Sequence, residues 1–170
     1  TLTGTDTLAN YQTALRSVTY QNTSLAPSEL SRTVSFKVND GDVDSAVLTA
    51  TVNVTAVNSA PVNTIPATQV IKENNTLVFN TTNANVISIA DDNSNSTVTL
   101  SVTNGILTLS QVTGLTFNSG SNGTASMQIT GTLTDINAAL NGMSYQPTTS
   151  FTGADTLTVL SDDGTLSSSD

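Results

Sequence analysis

One stretch of this chain occurs twice, and that repetition constrains the fold more than any other feature. Thr130–Thr149 reads against the segment from Thr5 at a constant offset of 125 positions. Leu8 matches Leu133, Ala14 matches Ala139, Leu15 matches Leu140, and Tyr20-Gln21 matches Tyr145-Gln146. A period of this kind marks a tandem array, in which each unit needs its own core. Within the second copy, Ile136, Ala139 and Leu140 recur at helical spacing, as do Tyr11, Ala14, Leu15 and Val18 in the first. Asp135 and Asn10 are the expected helix N-caps, and Gly142 the expected stop. Each helix runs into a strand-like alternation, Val18-Thr19-Tyr20 and Met143-Ser144-Tyr145.

The repetition continues downstream. Val34, Phe36 and Val38 align with Leu157, Val159 and Ser161. Asn39-Asp40-Gly41 aligns with Asp162-Asp163-Gly164, and the Asp-Gly pairs predict tight turns. In the first copy Leu48, Ala50, Val52 and Val54 then alternate with polar residues, predicting a half-buried strand. Residues 1–57 therefore read as the back half of one β-sandwich repeat and 58–66, with Pro61 and Pro66, as a stiff linker. Residues 67–170 read as a second repeat lacking its last strand. Its strands are expected around Val70, Leu77 and Phe79, at Val86 to Ile89, and at Val98 to Val102. A hairpin at Asn104-Gly105 returns along Ile106 to Leu109, and Leu115, Phe117, Met127 and Ile129 continue the pattern. Short strands with turns every 8–12 residues or so describe an all-β sandwich with one short helix per unit.

Composition narrows function. Acidic residues number 13 against four basic ones, a net charge of −9, which disfavours nucleic acid and anionic membrane as partners and suits cations. With no His and no Cys, a serine nucleophile lacks its usual base and no disulfide framework exists, so a non-enzymatic role is expected. No apolar run approaches the roughly 20 residues of a membrane helix. Asn22, Asn53, Asn74, Asn80, Asn95 and Asn122 head glycosylation sequons, in a chain so rich in Ser and Thr that chance supplies several.

Calcium takes about six to eight oxygen ligands. Glu73, Asp91 and Asp92 in the second unit, with Asp40, Asp42 and Asp44 at the turn of the first, are the candidate ligands. The plainer reading of the same residues is turn geometry. Tyr20 and Tyr145 are candidate corner tyrosines that tie a loop to the sheets, and Asp155 is expected to accept loop backbone hydrogen bonds.

These segments resemble the cadherin-like, Ig-like tandem repeats of large bacterial surface adhesins, which are related to chondroitin-sulfate-proteoglycan repeats. The resemblance rests on Lys72-Glu73-Asn74, Asp91-Asp92-Asn93, Gly131-Thr132 through Tyr145, Phe151-Thr152-Gly153-Ala154-Asp155-Thr156-Leu157, Asp163-Gly164 and Val57-Asn58-Ser59-Ala60-Pro61-Val62. It implies an extracellular, cell-surface spacer repeat of an adhesin or biofilm protein, with calcium between units. Its neighbours would be further repeats or other copies of the protein, and its target a cell-surface or matrix component. Ser59 stands where the family pattern has Asp, and Asp92-Asn93 replaces Asp-x-Asp, so each departure removes a carboxylate. A second expectation is a self-assembling filament or surface-layer subunit in which residues 46–57 complete another copy's sandwich.

Overall fold

The computed structural model describes residues 4–24 and 26–170. Among these residues the fold is mostly β, all-β in class with two short helices, and it divides into two compact units, one up to Ala56 and one running Val57–Asp170.

The first unit holds α1 (Leu8–Arg16), β1 (Arg32–Phe36) and β2 (Leu48–Val52). β1 and β2 pair antiparallel, with Val34 opposite Ala50 and Phe36 opposite Leu48. The expected alternation is present in β1, whose apolar positions are half-buried. In β2 only Val52 is sheltered, and α1 buries none of its residues. The half-buried strand expected from Leu48 to Val54 is thus a strand without much burial. The helix-covered, multi-sheet surroundings of the second unit have no counterpart among the described residues of the first.

The second unit contains β3 (Val62–Thr64), β4 (Leu77–Phe79), β5 (Ser88–Ala90), β6 (Asn95–Ser101), β7 (Gly105–Thr108), β8 (Thr116–Gly120) and β9 (Ser126–Thr132). α2 (Leu133–Leu140), β10 (Met143–Pro147), β11 (Thr158–Asp162) and β12 (Ser167–Ser169) complete it. They form a five-stranded antiparallel sheet in the order β12-β11-β6-β9-β8, a three-stranded sheet β4-β10-β7, and the pair β3-β5. Val98, Leu100, Met127, Ile129 and Val159 of the larger sheet are buried in one cluster with Leu107 and Met143 of the smaller. α2 adds Ile136, Ala139 and Leu140 to it, the stripe that its spacing predicts.

Several expectations change. Residues 58–66 are not a free linker: Val62–Thr64 is β3, hydrogen-bonded to β5, because Pro61 ends before the pairing residues begin. The N-caps are Thr7 and Thr132, whose hydroxyls accept from the amides of Asn10 and Asp135 one turn in. Asp135 closes a reciprocal cap by accepting from the Thr132 hydroxyl at 2.7 Å. Asn104-Gly105 is no hairpin: β6 and β7 lie in different sheets, and the turn carries the chain from one to the other. Val70 is exposed and outside any strand. β12 pairs with β11 from Asp162↔Ser167 to Leu160↔Ser169, and at the offset that aligns Asp40 with Asp163 it corresponds to residues 44–46, ahead of β2.

The repeat is visible in hydrogen bonds as well as letters. Asp40 Oδ1 accepts from the amides of Asp42 and Val43, and Asp163 Oδ1 accepts from those of Thr165 and Leu166. Asn39 and Asp162 each accept from the following glycine's amide, and the bridge Asn39↔Asp44 matches the pair Asp162↔Ser167.

Candidate metal centre

Three loops at one end of the second unit bring carboxylates together. Asp91 and Asp92 follow β5, Asp163 follows β11, and Asn58-Ser59 enter ahead of β3, which β3-β5 pairing holds beside them. One ligand oxygen from each of Asp91, Asp92 and Asp163 lies within 4.8 Å of the others. Each carboxylate is oriented from outside by a donor. The Asp92 amide donates to Asp91 Oδ1 at 2.8 Å, and the Ser59 amide donates to Asp92 Oδ2 at 3.0 Å. Asn58 Nδ2 donates to Asp163 Oδ2 at 2.8 Å, while Asn93 Nδ2 holds Asn58 Oδ1 at 2.7 Å.

The remaining oxygens carry the interest. Asp91 Oδ2 and Asp92 Oδ1 are buried and have no hydrogen-bond partner. A buried oxygen of this kind costs about 1–3 kcal/mol when nothing satisfies it, and more when charged. Burial, then the neighbouring carboxylates of Asp92 and Asp163, raise the Asp91 pKa. Asp163 is held the other way, below the ordinary carboxylate range, first by the Leu166 amide and further by Asn58. A set of oxygen donors that includes buried, unpaired carboxylate oxygens fits a hard divalent cation such as Ca²⁺, with water filling the other positions, and not a thiolate- or imidazole-seeking metal.

Of the residues anticipated as ligands, Asp91 and Asp92 belong to this group and the rest do not. Glu73 is exposed in the turn before β4 and stands outside it. In the first unit Asp40 caps its turn, Asp44 pairs with Lys37 Nζ at 2.8 Å and Asn39 Nδ2 at 2.9 Å, and Asp42 is exposed. Asp40 and Asp44 thus serve turn geometry. Asp163 was passed over, although its alignment with Asp40 marks it as the same position in the second copy.

A second constellation holds a loop. The Tyr145 hydroxyl donates to Asp155 Oδ2 at 2.8 Å and lies 3.2 Å from the Asn104 carbonyl, while Asp155 accepts from the amides of Thr103, Asn104 and Thr156. Burial and then Asp155 push the tyrosine pKa up to about 12. Burial works to raise the Asp155 pKa, yet the Asn104 amide, the Tyr145 hydroxyl and the other amides together bring it below its ordinary value. Tyr20 is half-exposed, its ring centroid 5.9 Å from the Arg32 guanidinium. Arg32 occupies the place of Asp155 in the repeat, so the neighbours correspond although the chemistry differs.

No helix among the described residues is long and apolar enough to cross a membrane. Comparison of the chain with protein-family models, with curated proteins and with solved structures finds no match in any of the three.

Proposed function

We propose that this chain is a non-catalytic spacer from an extracellular bacterial adhesin or biofilm surface protein, built of Ig-like, cadherin-like β-sandwich repeats and stiffened by calcium. The observation that carries the reading is the pair of buried, unpartnered carboxylate oxygens on Asp91 and Asp92, two residues of a three-carboxylate group with Asp163. A cation there ties the loop after β5, the loop after β11 and the entry to β3 into one rigid end. Repetition of the helix cap and the Asp-Gly turn supports a repeat whose task is mechanical. The core shared by the five- and three-stranded sheets supports the sandwich.

The test is thermal unfolding of the intact chain in calcium and in chelator. The reading requires a rise of several degrees in calcium, since a ligand at a hundred times its Kd contributes about 2.7 kcal/mol. The rise must vanish in Asp92→Asn. Identical melting in the two buffers would refute the cation.

A further inference from the structure

The loops that carry the carboxylates grow from strands in different sheets. Asp91 and Asp92 follow β5, which pairs with β3 alone, whereas Asp163 follows β11 of the five-stranded sheet. Two asparagine side chains bridge the parts. Asn63, the middle residue of β3, reaches across to β11, where its Oδ1 accepts from the Ser161 hydroxyl at 2.6 Å. Its Nδ2 lies within reach of the Val159 and Ser168 carbonyls and the Asp170 carboxylate, at 3.2, 3.3 and 3.1 Å. Ser161 is fully buried, so its hydroxyl depends on Asn63 rather than on water.

Asn137 of α2 grips β5 along the edge that β3 leaves free. Its Oδ1 accepts from the Ile89 amide and its Nδ2 donates to the Ile89 carbonyl, both at 2.8 Å. The side-chain amide thus supplies what a neighbouring strand would supply to a buried residue. Ile136, Ala139 and Leu140 anchor α2 in the core, which makes Asn137 a fixed point.

Register places both clasps close beneath the carboxylates. Asn63 stands opposite Ile89, two residues before Asp91, and bonds to Ser161, two residues before Asp163. Two residues along a strand span roughly 7 Å, so little slack separates clasp from cluster. Carboxylates within 4.8 Å of one another repel unless their strands are held, and β3 and β5 pair over only three residues. We propose that Asn63 and Asn137 are positioning residues of the cation centre, which set the separation of the Asp91-Asp92 loop from Asp163 without touching the ion. Their role rests on the cation reading above and names the support that the ligand set requires.

Calorimetric titration of the metal-free variants with CaCl₂ tests the role. Asn63→Ala and Asn137→Ala are each expected to weaken binding by about 10–100-fold, the loss typical when the support behind metal ligands is removed. Ser161→Ala should add little to Asn63→Ala, since both remove the same bond. Tyr145→Phe loosens the unit at the opposite end of β11 and should leave the calcium Kd unchanged, which separates positioning from general loss of stability. Hydrogen exchange of the metal-free chain reads the clasp without the ion. Asn63→Ala should release the amides of Val62–Thr64 and Ser88–Ala90 while β6 and β9 stay protected. Wild type that takes up no calcium overturns the centre and this role with it, a failure visible in the unmutated chain. Wild-type Kd in both alanine variants overturns the role alone, as does exchange that quickens evenly over the whole unit.

Discussion

Asp91 and Asp155 are both partly buried carboxylates, and their partners give them opposite pH behaviour. Asp155 is stabilised as the anion by three amides and a phenol. Its folded pKa lies below 3.8, so its contribution is complete above that value and is lost as pH falls through the folded pKa. Asp91 is raised above 3.8, so in metal-free protein it favours folding while protonated and loses that favour as pH rises through its folded pKa. Chelator-treated protein should therefore lose stability from this group on going from acid toward neutral pH, and calcium should cancel the loss. Urea unfolding at stepped pH, with Asp91→Asn as the reference, checks it: a variant with the wild-type slope contradicts the assignment. Tyr145→Phe strips a bond from Asp155 and should cost about 1–3 kcal/mol in the same measurement. Ser59 lies beside the cluster through its amide, so Ser59→Asp should raise the calcium-dependent gain in melting temperature. A smaller gain would mean that position 59 points away from the ion.

Among the elements, the two helices form a natural pair of controls. Both are capped by a threonine and carry the same apolar spacing, yet α2 buries Ile136, Ala139 and Leu140 while α1 buries nothing. Leu140→Ala should cost about 2–5 kcal/mol through the cavity it leaves. Leu15→Ala, at the equivalent site but 39% exposed, should cost well under half of that. Chemical denaturation of the two variants gives the comparison, and equal costs would show that α1 is packed after all. The elements that periodicity foretold were those whose apolar side chains face one core at regular spacing, α2, β6 and β9 above all. Where three-dimensional context decides, local pattern misled. Asn104-Gly105 has hairpin chemistry, but Leu100 and Leu107 pack from different sheets into one core, so the turn became a crossing. Pro61 and Pro66 look like linker punctuation because a sequence does not reveal that β5 stands ready to pair with the three residues between Pro61 and Ile65.

For the whole molecule, the repeat was legible in the letters and reappears bond for bond in the Asp-Gly turns, whereas the carboxylate site was only half legible. Asp91 and Asp92 stand adjacent in the sequence; Asp163 reaches them only because β11 lies in the sheet whose end adjoins the loop after β5, a long-range fact. Among the candidates Asp40, Asp42 and Asp44, Asp40 and Asp44 accept from local donors and Asp42 is exposed, so none joins the Asp91–Asp92–Asp163 group. An acidic chain of net charge −9 attracts cations everywhere, so melting shifts in salt need a stoichiometric companion. Calorimetric titration of the metal-free chain with CaCl₂ in moderate salt supplies it. One saturable site that disappears in Asp163→Asn is the predicted result. Weak, unsaturable heat that is the same in wild type and Asp163→Asn would contradict a built calcium centre.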